Sequence, residues 1–180
     1  MTLEIKKSRV LYRGPIFKIR KDDLLLPNGR VSQIDIVDHR DSVTMIPLDQ
    51  EGMIWFISQY RHPIHKELLE LPAGVIEEGE TPEICAQREI REEIGMAANK
   101  LDRIGGFYLA PGYSSEYMHV FLATSLHPDP LQCDTDEIIK VVKLPVMEAF
   151  RLAKTGQLQD SKSLVGLFWS YSYLLERGLI

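Results

Sequence analysis

The chain has 180 residues, 44% of them hydrophobic and 26% charged, with a formal net charge of -5. That length suits one domain with a small appendage and is enough to bury a core. The negative balance argues against nucleic acid or an anionic membrane surface as partner, and two cysteines, Cys85 and Cys133, are too few for a disulfide framework or a thiolate metal site and fit a reducing cytoplasm.

The first residues, MTLEIKKSRVLYRG, are polar and alternating, which is not the pattern of a signal peptide, and no apolar run reaches the length of a membrane span. From Arg9 to Tyr60 the pattern has period two. VLYRGPIFKIRKDDLLL breaks at Gly14-Pro15, and Pro27-Asn28-Gly29 marks a hairpin turn between LLL and VSQIDIV. After HRD, SVTMIPL and MIWFISQY are expected to pair around DQEG and complete an antiparallel meander, with Met45, Met53 and Trp55 in the core. Thr81 to Gly95 has helical periodicity, with Thr81 as cap, Pro82 in the first turn and Gly95 at the end. GGFYLAPGYSSEYMHVFLATSL gives two strands around a Pro-Gly loop, and IIKVVKLP gives one more. PVMEAFRLAKTG and SLVGLFWSYSYLLERG read as helices stopped by Gly156 and Gly178. The predicted class is α+β, with strands on both sides of one acidic helix.

That helix is the unusual element. GVIEEGETPEICAQREIREEIGM, Gly74 to Met96, holds seven glutamates. At about 100° per residue, Glu89, Glu92 and Glu93 share one sector of the helix. The apolar stripe of Ala86, Ile90 and Ile94 lies beside that sector rather than opposite it, so the carboxylates border the buried side, where unpaired charge is costly. Arg88 alone does not balance three carboxylates. A solvated face is the ordinary alternative, but a hard divalent cation such as Mg2+ or Mn2+ takes oxygen ligands of this kind.

The spacing around the helix is specific. Gly74, five residues, Glu80, seven residues, Arg88-Glu89-Ile90, one residue, Glu92-Glu93, one residue and Gly95-Met96 resembles the Nudix box at every specified position. The resemblance implies a Nudix fold over residues 42–180, an α/β/α sandwich around a mixed sheet. Residues 1–41 would then form an N-terminal antiparallel β appendage used in dimerisation. It also implies metal-assisted hydrolysis of a nucleoside diphosphate linked to another moiety. Carried over position by position, Glu89, Glu92, Glu93 and the carbonyl of Ala73 would hold two or three Mg2+ ions, Mn2+ being possible, with Glu92 and Glu93 also catalytic. Glu80 and Arg88 would brace the box as ion pairs, and Gly74 and Gly95 would allow its backbone turns.

Three further segments are similar to the ADP-ribose pyrophosphatase branch of that family: SQYRHPIHKELLELPAG (Ser58 to Gly74), LAPGYSSE (Leu109 to Glu116) and TGQLQDSKSLVGL (Thr155 to Leu167). Pro111, fifteen residues past Met96, matches a proline of the branch. Arg61 offers a planar fork to phosphate, Glu116 can accept hydrogen bonds from ribose hydroxyls, and Tyr113 or Phe17 can stack on a base. Each also has a plain reading, as surface arginine, solvated loop acid or packing residue. The branch places its general base on a loop that corresponds here to LQCDTDEIIKVV, which points to Glu137, with Asp136 behind it. The implied protein is a cytoplasmic homodimer that cuts ADP-ribose or a related ADP-sugar to AMP and ribose 5-phosphate. The alternatives are a hydrolase of GDP- or UDP-hexoses and a non-catalytic nucleotide-binding sensor.

Overall fold

A computed structural model describes residues 3–133, 138–178 and 180. They form two compact units, one of Met1–Asp41 with Phe107–Tyr117 and one of Ser42–Gly106 with Met118–Ile180. In the first unit, β1 (Glu4–Arg13), β2 (Phe17–Leu25) and β3 (Val31–His39) make an antiparallel sheet in that order. The Gly14-Pro15 break is closed by the Gly14 N–H on the Phe17 carbonyl at 2.9 Å, and the Pro27-Asn28-Gly29 turn by Leu26 N–H on the Arg30 carbonyl at 2.8 Å. The loop after residue 107 lies along β3: the Val37 N–H donates to the Tyr113 carbonyl at 2.7 Å, and the Ser115 N–H to the Val37 carbonyl at 3.0 Å.

The second unit begins with β4 (Ser42–Pro47), in which every residue is buried. A strand buried on both faces asks for neighbours on both edges and cover on both sides. It finds antiparallel β7 (Ala73–Val75) on one edge and parallel β9 (Tyr117–Pro128) on the other, with β8 (Met96–Tyr108) beyond, in the order β7-β4-β9-β8. The expected pairing of SVTMIPL with MIWFISQY is therefore wrong. β5 (Met53–Arg61) lies in a separate sheet between β10 (Ile139–Pro145) and β6 (Lys66–Glu70), and a single bridge, Leu48 to Ile54, joins it to the end of the β4 segment. The hairpin partner of β5 follows it, through a tight turn at His62–Ile64 that His65 closes at φ 52.

Three helices complete the unit: α1 (Pro82–Ile94), α2 (Val146–Lys154) and α3 (Ser161–Glu176). Alternate residues of a strand face opposite ways. Val43 and Met45 of β4 pack with Ile57, Ala86, Ile90, Ile94 and Phe121, whereas Ile46, on the other face, meets Gly166 of α3. Helices α1 and α3 thus cover opposite faces of β4, the predicted sandwich around a mixed sheet. Met45 is core, but Met53 and Trp55 are only half-buried; the Trp55 indole carries Lys143 3.6 Å above its ring and donates to Asp49 Oδ2 at 2.8 Å. No helix among the described residues is long and apolar enough to cross a membrane.

Candidate active site

Helix α1 starts where Thr81 Oγ1 accepts the Ile84 N–H at 3.3 Å, and ends at Gly95, whose φ of 71° suits glycine. This frame fixes which way the acidic side chains point. Arg88 is their hub. Its Nε donates to Glu80 Oε1 at 2.8 Å and its Nη2 to Glu80 Oε2 at 3.0 Å, while Nη1 reaches Glu89 Oε1 at 2.7 Å and Glu92 Oε2 at 2.9 Å. Nη2 also donates to the Val75 carbonyl at 3.3 Å, tying the hub to β7. Glu92 reaches Arg88 because residues four apart are helix neighbours; Glu80 is brought in from the preceding turn, where the Glu77 N–H also donates to its Oε2 at 2.9 Å.

The electrostatics follow from the hub. Arg88's hydrogen bonds, set against partial burial, hold the Glu80 carboxyl down at about 2 from an ordinary 4.5. Glu80 in turn, ahead of Glu89, raises Arg88 above the usual arginine value. Burial first, then the Glu89 charge, pushes the Cys85 thiol up, so it stays protonated and unsuited to nucleophilic work.

Glu93, 5% exposed, turns the other way and accepts the Ala73 N–H at 2.9 Å. Next to Ala73, a Cβ built on Gly74 would overlap the Glu89 carboxylate. Only glycine lets that carboxylate lie against β7. Ala73, Gly74, Glu80, Arg88, Glu89, Glu92 and Glu93 are thus brought together at one edge of α1. Among the described residues, no three histidine, cysteine or acidic side chains stand ready to enclose a metal ion; Glu89 and Glu92 are turned to Arg88.

Arg61 ends β5 and faces β6. Its Nε donates to Glu70 Oε1 at 2.7 Å and its Nη2 to Glu70 Oε2 at 2.6 Å. Lys162, in the first turn of α3, binds the same Oε2 and lies 3.1 Å from Asp160 Oδ2. Arg61 is raised above its ordinary value chiefly by the bond to Glu70, against burial, with the charges of Asp160 and Glu93 adding to it. Of the α1 carboxylates, Glu93 is the one whose charge reaches Arg61. Sequence reasoning passed over Glu70, Asp160 and Lys162. The signal was a lone acid in the apolar run LLELP and a lysine beside a helix cap in DSKS, since a charge among apolar residues needs a partner.

Four further candidates, Phe17, Pro111, Tyr113 and Glu116, belong to the first unit. Tyr113 is 61% exposed and Pro111 is exposed too. The Glu116 N–H donates to Ser114 Oγ at 3.2 Å, and its Oε1 stands 3.9 Å from His39 Nδ1. Phe17 has its ring centroid 6.3 Å from that of Tyr12. Glu137 and Asp136 lie outside the described residues.

Comparison with known proteins identifies this arrangement. The NUDIX domain profile matches residues 38–165. The chain belongs to the Nudix family. Residues 4–33, which hold β1, β2 and the start of β3, match the nucleoside diphosphate sugar hydrolase N-terminal domain. An ADP-ribose pyrophosphatase of Bacillus subtilis is 36% identical over 155 residues, 85% of this chain and 84% of its own. A GDP-mannose pyrophosphatase of Yersinia pestis is 30% identical over 178 residues, 91% of this chain and 89% of its own. A crystal structure of an ADP compounds hydrolase shares the fold with a TM-score of 0.90 at 24% identity, covering 100% of this chain and 98% of that one.

Nudix hydrolases generally need a divalent metal, and the residues here fit one. The donors are carboxylate oxygens, the ligand type that hard divalent cations take. Among the described residues, the carboxylates bound to Arg88 outnumber it three to one. Their half-buried setting strengthens the pull of such an excess on a divalent ion.

Proposed function

We propose that this protein hydrolyses the diphosphate bond of a nucleoside diphosphate sugar, with ADP-ribose or a related ADP-sugar as preferred substrate and AMP and ribose 5-phosphate as products. The observation that carries the reading is the charge mismatch around Arg88, three carboxylates on one guanidinium among the described residues, with one of them, Glu89, so close to β7 that a Cβ on Gly74 would displace it.

Glu89, Glu92, Glu93 and the Ala73 carbonyl would hold Mg2+, or Mn2+, as two or three ions. When bound, the metal neutralises diphosphate charge and makes a water more acidic. Glu80 and Arg88 brace the helix so that the ligand carboxylates keep their places. The unused edge of the Arg61 guanidinium grips a phosphate oxygen. Glu116 accepts from ribose hydroxyls, Pro111 shapes the loop and Tyr113 stacks on the base. Glu137 takes the proton of the attacking water; the water oxygen bonds to one phosphorus as the bridging P–O bond breaks, and the leaving phosphate carries away the electron pair. Residues 1–41 serve as a dimerisation appendage to the domain of residues 42–180, and the homodimer works in the cytoplasm, where Cys85 and Cys133 remain thiols. Light scattering at micromolar concentration should give twice the chain mass; a monomer contradicts the dimer.

The test is turnover of ADP-ribose, GDP-mannose and UDP-glucose with Mg2+ and with EDTA, the products resolved by chromatography. AMP and ribose 5-phosphate should form only with metal, and fastest from ADP-ribose. A second reading, hydrolysis of a GDP-hexose, draws on the likeness to a GDP-mannose pyrophosphatase across most of both chains; faster cleavage of GDP-mannose would replace the first reading with it. Tight ADP-ribose binding without cleavage of any of the three would make the protein a sensor.

A further inference from the structure

The cluster at the end of β5 is built as a chain of alternating charge. It runs from Arg61 to Glu70, from Glu70 to Lys162 and from Lys162 to Asp160. Its middle is buried, Glu70 being 1% and Lys162 7% exposed, whereas the Arg61 side chain is 43% exposed. Its negative end, Asp160, is secured as the cap of α3, accepting from Ser163 N at 3.0 Å and from Ser163 Oγ at 2.5 Å, where the helix N-terminus favours an anion. Its positive end is the one that meets solvent.

From this geometry we infer that Lys162 is a positioning residue for substrate phosphate: by sharing Glu70 with Arg61, it leaves part of the arginine's charge and its outer N–H edge for an anion. The inference rests on the proposed role of Arg61 in nucleotide binding. A carboxylate facing one guanidinium forms a neutral pair with little field beyond it. A carboxylate that also neutralises a buried ammonium satisfies Arg61 only in part. The side-on pairing uses one N–H of Nε and one of Nη2, and a guanidinium has five N–H donors, so three remain beyond the pair with Glu70. Glu70 also locks the guanidinium plane through two bonds, so the outer edge keeps one direction. The same α3 turn holds the strand leading to Gly74, since Ser163 Oγ accepts the buried Leu71 N–H at 2.7 Å. Lys162 thus links the phosphate grip to the segment on which the acidic site is built.

The experiment measures ADP binding by calorimetry in EDTA, together with kcat and KM for whichever nucleotide sugar is cut, in wild type, Lys162→Met, Lys162→Arg and the double variant Lys162→Met/Glu70→Gln. Lys162→Met should weaken ADP binding and raise KM by about tenfold, the low end of couplings carried through a shared partner, with kcat changed by less than about threefold. Lys162→Arg should recover most of that loss. The double variant, which removes one charge of each sign and leaves Arg61 unneutralised, should bind ADP within about threefold of wild type; it decides the matter if Lys162→Met does not fold. Unchanged ADP affinity in folded Lys162→Met, or a double variant that still binds about tenfold more weakly, overturns the inference, as does a wild type that binds no ADP. A wild type that binds ADP but cleaves no nucleotide sugar defeats the hydrolase reading alone.

Discussion

Two arginine clusters in the same unit handle charge in opposite ways. Around Arg61 the ions match: Arg61 and Lys162 face Glu70 and Asp160, and the two inner members are almost fully buried. Around Arg88 they do not: Glu80, Glu89 and Glu92 share one guanidinium, in side chains that keep some exposure. A deeply buried ion costs several kcal/mol unless it is matched, so the closed cluster has to be neutral. The half-open cluster tolerates a surplus of negative charge because a cation from solution can join it. On the proposed reading, the neutral network positions and the mismatched one recruits a cation.

The largest effect that separates the clusters should come from Glu92→Gln or Glu93→Gln. Each should lower kcat/KM by a factor on the order of 10^3. Glu92→Gln should leave the Tm unchanged or raised, because it relieves crowding of like charge on Arg88; a falling Tm in that variant would erase the distinction drawn here. Gly74→Ala comes next. With the Glu89 carboxylate displaced, activity should drop about 100-fold, while urea denaturation should show a loss of no more than about 1 kcal/mol, because the flexible end of Glu89 gives way.

A pH titration sharpens the same comparison. Glu80 is held at about 2 in the folded chain against an ordinary 4.5, so its contribution is fully present above 4.5 and disappears as pH falls toward 2. Wild-type urea midpoints should decline through that window, whereas Glu80→Gln should be less stable at neutral pH by about 2 kcal/mol and flatter below pH 4.5. Equal slopes would remove Glu80 from the brace. The smallest effect belongs to the matched cluster's edge: Ser163→Ala leaves the Leu71 N–H without its partner oxygen and should cost about 1–2 kcal/mol by the same assay.

The acidic helix was legible in the sequence because its signals are local: a capping threonine, a terminal glycine, and glutamates spaced three and four apart. The sandwich was legible only through the resemblance to the Nudix box that Gly74, Glu80 and Arg88 help to carry, since the residues by themselves gave no more than an α+β domain. The partners of β4 and β5 were not, because hairpin reasoning assigns a strand to its sequence neighbour, while β4, buried on both faces, pairs with β9 more than seventy residues on. β8 begins at Met96 rather than near Gly105; its Asn99, Lys100, Asp102 and Arg103 hid it, as charges do on a strand at the edge of a sheet. The network of Glu70, Asp160 and Lys162 was illegible for a similar reason. Glu70 and Lys162 stand 92 residues apart, and nothing in the sequence announces that two isolated charges meet.

The most direct test of the recruiting cluster is a calorimetric titration of Mg2+ into metal-free wild type and into Glu89→Gln, Glu92→Gln and Lys162→Met. Saturable binding to wild type, weakened about tenfold or more in the two glutamate variants and unchanged in Lys162→Met, is the predicted result. Equal Mg2+ affinity in wild type and both glutamate variants would contradict the account, since the carboxylates on Arg88 would then hold nothing but the arginine.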